Sequence, residues 1–345
     1  MDHVEKRKST SDFVSIIIPC RNEEQFIGKC LDSVILNDYR KDRLEVLVVD
    51  GMSEDGTRQI VHRYMQEYQF IRLLENQKKI AASAFNAGIK HSNGNIIMIM
   101  SAHATYEKDY ISKCVKGLVE HNAHCVGGIW KIVPRNHTTI GKNIVRALSH
   151  PFGIGNAHYR VGNSLEPKLV DAVAYGCYKK EVFDKIGFFN EKLVRSEDIE
   201  LNLRLKSAGG RILLVPDAVV YYYARSDFRS FCKYNFINGV WATYPLRFVN
   251  HVPVSWRHLV PLMFVSSLIG SALLSGFSWL FLWIFLLTAI SYSALNLYFS
   301  IAIAIKEKDV RYFFIMPLVF SALHVCYGVG SLWGLLRVIV SKLYI

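Results

Sequence analysis

Apolar and polar positions follow two regimes along the chain. In the last quarter, Leu259 to Ile305 contains no Asp, Glu, Lys or Arg, and Phe313 to Leu336 is likewise uncharged. A helix needs about 20 apolar residues to cross the hydrocarbon layer. The first run is therefore long enough for two crossings, turned at Ser275-Gly276-Phe277-Ser278. The pattern predicts membrane helices near 259–275, 279–304 and 313–336. Helices of a soluble core would carry charge on an outer face, and these stretches have none.

Earlier in the chain, short branched runs alternate with helical periodicity. Phe13 to Pro19 and Leu44 to Val49 read as buried parallel strands. Between them, Phe26, Ile27, Cys30, Leu31 and Val34 mark a helix with Asn22 as its cap and Glu23 and Glu24 in its first turn. Helices over Thr57–Tyr68 and Ile80–His91 then alternate with strands over Phe70–Leu74 and Ile96–Met100. This order predicts an α/β fold with a doubly wound, mostly parallel sheet, in which ligands sit beyond the carboxyl ends of the strands. That rule gathers Pro19 to Glu23, Asp50 to Thr57 and Ser101 to His103 around one crevice.

Charge and cysteine usage refine the picture. The formal net charge of +12 suits lipid headgroups or phosphorylated substrates, and no nucleic-acid-binding motif accompanies it. The seven cysteines show no paired or metal-finger spacing, as expected of reduced thiols in a cytoplasmic protein. Met1 to Asp12 is polar and unlike a signal peptide. With three basic residues in Lys306 to Arg311, the positive-inside rule predicts a multi-pass inner-membrane protein whose large N-terminal domain is cytoplasmic. Asp227 to Arg247 mixes Arg229, Lys233 and Arg247 with five aromatic residues, Phe228 to Trp241, a composition for a helix lying among headgroups or packed on its own domain. The expected division is a catalytic domain over 1–226, an amphipathic interfacial segment over 227–257 and a transmembrane region over 258–345.

Three segments carry candidate chemistry. In Asp50-Gly51-Met52-Ser53-Glu54-Asp55-Gly56-Thr57, the strand-end carboxylate suits a base or ribose, or a turn closed by its own side chain. His103, in Ser101-Ala102-His103, suits a metal or phosphate, or a structural role. Glu197-Asp198 opens an amphipathic helix, as ordinary N-terminal charge or as a general base at a site mouth.

Taken in order, these segments resemble the family 2 inverting glycosyltransferases of the GT-A fold over essentially the whole chain. Ser15 to Glu23 and Val48 to Thr57 look like that family's donor-nucleotide signatures, and Ala84-Phe85-Asn86-Ala87-Gly88 is similar to its next block. The resemblance implies donor-nucleotide contacts from Pro19, Arg21, Glu23, Asp50, Ser53, Asp55, Asn86 and Ser101. Where the family has Asp-x-Asp, and its succinoglycan-type exopolysaccharide subgroup Asp-Ala-His, this chain has Ser101-Ala102-His103. His103 is thereby implied as ligand to Mg²⁺ or Mn²⁺, with Ser101 a departure that either contacts the ribose or metal through water or reduces metal affinity. Asp198, beside Glu197, is implied as catalytic base. Val173 to Cys177, with Gly176 and Cys177, is implied on the acceptor side, and Lys131 to Leu169 is expected to contribute to the acceptor pocket. The implied reaction moves a hexose, from a UDP-sugar, to a polyprenyl-diphosphate-linked saccharide. A polyprenyl-phosphate sugar synthase, a processive synthase and a non-catalytic partner subunit are the competing readings. The Gln-x-x-Arg-Trp motif of processive synthases is missing.

Overall fold

The computed structural model describes residues 12–162, 166–249 and 254–343. The polar start of the chain and residues 250–253 of the expected interfacial segment lie outside them. Strands β1 (Val14–Cys20), β2 (Leu44–Asp50), β3 (Ile71–Glu75) and β4 (Ile96–Ile99) alternate with helices α1 (Ile27–Ile35), α2 (Thr57–Glu67) and α3 (Ala81–His91). Then follow β5 (Ala104–Tyr106), α4 (Tyr110–Glu120), β6 (Cys125–Pro134), α5 (Thr139–Ala147), α6 (Pro151–Ile154) and α7 (His158–Val161). Next are β7 (Lys168–Leu169), β8 (Cys177–Lys179), α8 (Glu181–Ile186), α9 (Glu197–Ser207) and β9 (Ile212–Ala224). The chain continues through α10 (Phe228–Thr243), α11 (Val260–Leu274), α12 (Trp279–Glu307) and α13 (Arg311–Leu343).

One sheet runs in the order β3-β2-β1-β4-β8-β6-β9-β5, with β7 on β9. Pairs β1–β2, β1–β4 and β2–β3 are parallel, as strands joined by helical crossovers must be. Beyond β4 the alternation lapses, and β4–β8, β6–β8 and β7–β9 pair antiparallel. The sheet is thus mixed, its parallel part being the part that periodicity predicts.

The cap assigned to Asn22 is corrected. Helix α1 begins at Ile27 after Phe26, and Asn22 stands in the left-handed region with φ 54°. Its side chain is committed to the loop after β2, where it accepts the Glu54 N–H at 2.9 Å. All seven cysteines are free thiols and five are buried.

The chain forms two compact units. The first comprises residues 1–129, 164–191 and 204–220, and the second 130–163, 192–203 and 221–345. In the first, Val14, Ile16 to Ile18, Val46 to Val49 and Ile97 to Met100 form a closed apolar core.

In the second unit, three helical stretches are long and apolar enough to cross a membrane: Trp256–Leu274, Trp279–Glu307 and Arg311–Ser341. Helix α10 packs along α13 through small residues. A Cβ on Gly239 would strike the Tyr327 carbonyl, and one on Gly330 the Phe236 carbonyl. Thr243 donates its hydroxyl to the Ser331 carbonyl at 2.7 Å across the same seam. Such close approach is how apolar helices associate without a hydrophobic driving force. The loop containing α6 is anchored in the same bundle. The Phe152 ring meets those of Phe299 and Phe320 at 4.9 Å, while its carbonyl accepts His324 Nε2–H at 2.9 Å. The other ring nitrogen of His324 then accepts the Tyr292 hydroxyl at 2.9 Å.

Gly330→Leu is expected to lower the melting temperature in detergent well beyond the effect of Gly270→Leu. The first forces a side chain onto backbone, overpacking of a kind that costs about 1–3 kcal/mol or more, whereas nothing lies within 4 Å of a Cβ on Gly270. Equal melting temperatures for the two variants would show that the α10–α13 seam does not hold the unit together.

Candidate functional site

In the first unit, the loops after β1 and β2 are laced into one surface. Gly51 N–H donates to the Cys20 carbonyl at 2.8 Å, and Asn22 N–H donates to Ser53 Oγ at 2.9 Å. Glu23 N–H donates to Thr57 Oγ1 at 2.8 Å. Glu24 is held at both ends, its N–H reaching Asp55 Oδ2 at 3.2 Å and its Oε2 accepting the Gly56 N–H at 2.8 Å. Asp50 is fully buried. Its carboxylate accepts the Ser53 N–H at 3.0 Å and the Ser53 hydroxyl at 2.5 Å, with Arg58 Nε at 3.9 Å. It therefore closes a side-chain turn of the kind that aspartate favours. Asp55 likewise holds Thr57, accepting its N–H and its hydroxyl. Asn22 and Met52 both have positive φ, 54° and 59°, a conformation that non-glycine residues adopt rarely and mostly where a loop is shaped for a purpose.

The predicted residues of this unit lie in different settings. Pro19 is half-buried at the end of β1 and Arg21 is exposed beside it. His103 Nδ1–H donates to Glu23 Oε1 at 2.8 Å. A carboxylate on one ring nitrogen fixes the tautomer, leaving the lone pair of the neutral ring on Nε2, and this is how metal-binding imidazoles are commonly oriented. Ser101 is 2% exposed. Its N–H donates to Tyr106 Oη at 2.7 Å and its carbonyl accepts the Cys30 thiol at 3.4 Å, yet its Oγ is buried without a hydrogen-bond partner. A buried orphan hydroxyl is unusual and fits a group that binds there. Imidazole and hydroxyl form a donor set acceptable to a hard divalent cation completed by phosphate oxygens. No preformed cluster of three His, Cys, Asp or Glu side chains exists among the described residues.

Asn86 braces the fold. Its amide donates to the Phe189 carbonyl and to Glu191, both at 2.9 Å, and accepts the Phe189 N–H at 3.0 Å. A Cβ on Gly176 would strike Cys125 Sγ, and Cys177 is 1% exposed within β8. Burial pushes the Cys177 thiol well above its ordinary range. Tyr175, just before them, has φ 47°.

Glu197 and Asp198 belong to the second unit. They start α9 immediately after Ser196, whose φ is 64°. Glu197 is 7% exposed. Burial, then the neighbouring Asp198 charge, pushes its carboxyl up. Asp198 is half-buried. Burial raises it as well, opposed by a bond from the Ile199 N–H at 2.8 Å and by the charges of Arg160 and Arg257. The two carboxyls titrate as a pair, and the arginines favour ionisation of Asp198 first. Asp198 is thus the more accessible of two adjacent carboxyls, beside one whose burial favours its protonated form.

Sequence reasoning missed the cationic and aromatic residues around this pair. The Arg160 guanidinium lies 5.4 Å from the Tyr159 ring and 5.9 Å from those of Trp130 and Tyr222. Arg195 and Arg225 each sit 4.8 Å from the Tyr234 ring, and Arg195 donates to Asn238 Oδ1 at 2.7 Å. These arginines are scattered from 160 to 257 in sequence. Arg160 falls within Lys131–Leu169, a stretch rich in His, Asn, Arg and Gly, and Arg257 within the expected interfacial segment 227–257, whereas Arg195 and Arg225 lie outside both and carried no local signal.

Residues 15–187 match the family model described as glycosyl transferase family 2. The chain is 30% identical over 228 residues to a dolichyl N-acetyl-alpha-D-glucosaminyl phosphate 3-beta-D-2,3-diacetamido-2,3-dideoxy-beta-D-glucuronosyltransferase of Methanococcus voltae, covering 64% of this chain and 70% of that one. It is 27% identical over 219 residues to the succinoglycan biosynthesis protein ExoA of Rhizobium meliloti, covering 63% and 65%. Against the probable glycosyltransferase YdaM of Bacillus subtilis it spans half of the relative's length, at 29% identity over 60% of this chain. Among solved structures, the mannosyltransferase PcManGT of Pyrobaculum calidifontis, in complex with GDP-Man and Mn²⁺, shares the fold with a TM-score of 0.60. It is 19% identical and covers 93% of this chain and 87% of that one. The mixed GT-A sheet and the matched signatures agree: the chain belongs to glycosyltransferase family 2.

Proposed function

We propose that the protein is an inverting hexosyltransferase. It takes its sugar from a nucleotide diphosphate donor, a UDP-sugar, and delivers it to a polyprenyl-diphosphate-linked saccharide at the cytoplasmic face of the inner membrane, in the synthesis of an exopolysaccharide or cell-surface glycan. The observation that carries this reading is the Glu197–Asp198 pair, held on the unit that also contains the three membrane-length helices. A relative acting on a dolichyl phosphate-linked sugar supports a lipid-linked acceptor, and another serving succinoglycan biosynthesis supports a role in exopolysaccharide synthesis.

Asp198 accepts the proton of the acceptor hydroxyl as that oxygen attacks the anomeric carbon. A positioned base of this kind contributes about 10² to 10⁴ in rate. Glu197, protonated, keeps a second negative charge away from the attacking oxygen. The laced loops of Arg21 to Glu23 and Asp50 to Thr57, with Pro19 beside them, position the nucleotide, their shape held by Asp50, Ser53 and Asp55. Mg²⁺ or Mn²⁺, when bound, neutralises the charge developing on the departing diphosphate. Ser101 and His103, with Glu23 orienting the imidazole, are the residues that would hold it. Gly176 is assigned to the acceptor side, and Cys177 to the strand that supports it.

In detergent, nucleoside diphosphate release from a panel of nucleotide sugars should rise when a prenyl-diphosphate-linked sugar and Mn²⁺ are added. Asp198→Asn should lower that release by about 10² to 10⁴. An enzyme transferring to a bare lipid phosphate needs no general base, so full activity of the variant would favour a polyprenyl-phosphate sugar synthase. Absence of release with every donor would favour a non-catalytic subunit.

Stability should depend on pH with a definite sign. Glu197 holds a proton in the folded protein up to about pH 8, which the unfolded chain releases near 4.5. Its contribution is therefore fully present below 4.5 and lost as pH rises through about 8. Melting temperature should fall over that window in the wild type and fall less in Glu197→Gln. Parallel curves for the two proteins would show that Glu197 is ionised at neutral pH.

A further inference from the structure

The second unit gathers positive charge that its own carboxylates do not neutralise. Among the described residues, none of Arg160, Arg195, Arg225 and Arg257 has a carboxylate within 4 Å. Asp198 lies within electrostatic range of Arg160 and Arg257 but forms no ion pair with either. Two buried nitrogens are left over. Arg160 Nε is buried with no hydrogen-bond partner, and so is His258 Nε2, whose ring is fixed by a 2.9 Å bond between Nδ1 and the Tyr327 hydroxyl. Orphaned, buried polar groups of this kind are costly unless a ligand completes them.

The placement identifies the ligand's chemistry. Arg257 and His258 lie in the first turn of the Trp256–Leu274 stretch, and Tyr327 lies within α13. The Arg257 stem passes the backbone of Gly155, 3.5 Å from the position of a Cβ there, on the loop that Phe152 anchors between membrane-length helices. An anion held here belongs to a molecule whose remainder lies among those helices. Guanidinium forks match phosphate oxygens in pairs, and the aromatic walls give the site an apolar lining. We propose that Arg160, Arg257 and His258 bind the diphosphate of a prenyl-anchored acceptor. This inference rests on the transferase reading for its orientation.

The test is a binding measurement on the full-length protein in detergent micelles, with geranylgeranyl diphosphate, geranylgeraniol, inorganic diphosphate and UDP as separate probes. Geranylgeranyl diphosphate should bind, geranylgeraniol far more weakly, and inorganic diphosphate should compete. Arg160→Gln and Arg257→Gln should each weaken geranylgeranyl diphosphate binding by roughly tenfold or more, as expected for one lost charge-assisted contact, and leave UDP binding unchanged, which also reports intact folding. Wild-type affinity for geranylgeranyl diphosphate in the folded variants would overturn the assignment. An equal loss of UDP binding would also overturn it, showing that the arginines serve the donor's diphosphate. Binding is read without sugar transfer, so a protein that binds the prenyl diphosphate through these arginines but transfers no sugar would refute the transferase reading alone.

Discussion

A carboxylate taken out of water costs several kcal/mol unless charge or hydrogen bonds compensate it, and the adjacent Glu197 and Asp198 meet that cost differently, Glu197 by burial that favours its neutral form and half-buried Asp198 by compensation of its charge. The second unit is organised around meeting it. Ser196 takes up a left-handed backbone to start α9 at the pair, and the Ile199 N–H bonds Asp198 directly. Arg160, in α7, and Arg257, in the first turn of the Trp256–Leu274 stretch, offset the remaining charge. The membrane-length helices and the acidic pair belong to one compact unit, in which residues 192–203 cluster with the C-terminal helices rather than with the first unit.

The first unit solves a different problem with hydrogen bonds inside its loops, several of them accepted by carboxylates. Two loops at the carboxyl ends of parallel strands must keep a fixed shape without filling the space that a ligand needs. Side chains of Asn22, Ser53, Asp55 and Thr57 close the loops on themselves, and the two positive-φ residues reverse the chain where a regular turn would run outward. Rigid loops of this kind reduce the ordering required when a nucleotide binds.

Legibility in the sequence followed the range of the interactions. The first four strands and their helices were readable because periodicity is local, and so were the three membrane-length helices, whose predicted starts lie within two residues of α11, α12 and α13. Of the antiparallel strands, β8 has three residues and β7 two, too few for any period to show, whereas β6 and β9, with ten and thirteen, were long enough and went unread. Asn22 misled as a helix cap because its partner, Glu54, is 32 residues away. The acidic pair was legible as a motif, but the arginines that tune it are brought together only by tertiary packing. Asn86 stood out as part of a block, and only the structure reveals its bonds to Phe189 and Glu191.

The central claim is a single displacement in which the acceptor hydroxyl, deprotonated by Asp198, attacks the sugar opposite its leaving group. Proton NMR of the product formed from an α-linked nucleotide sugar reads this directly through the anomeric coupling constant. The account predicts a β-linked product from the first turnover. An α-linked product would contradict it, because retention requires either a second nucleophile or attack from the leaving-group face, and neither is a task for a base placed as Asp198 is.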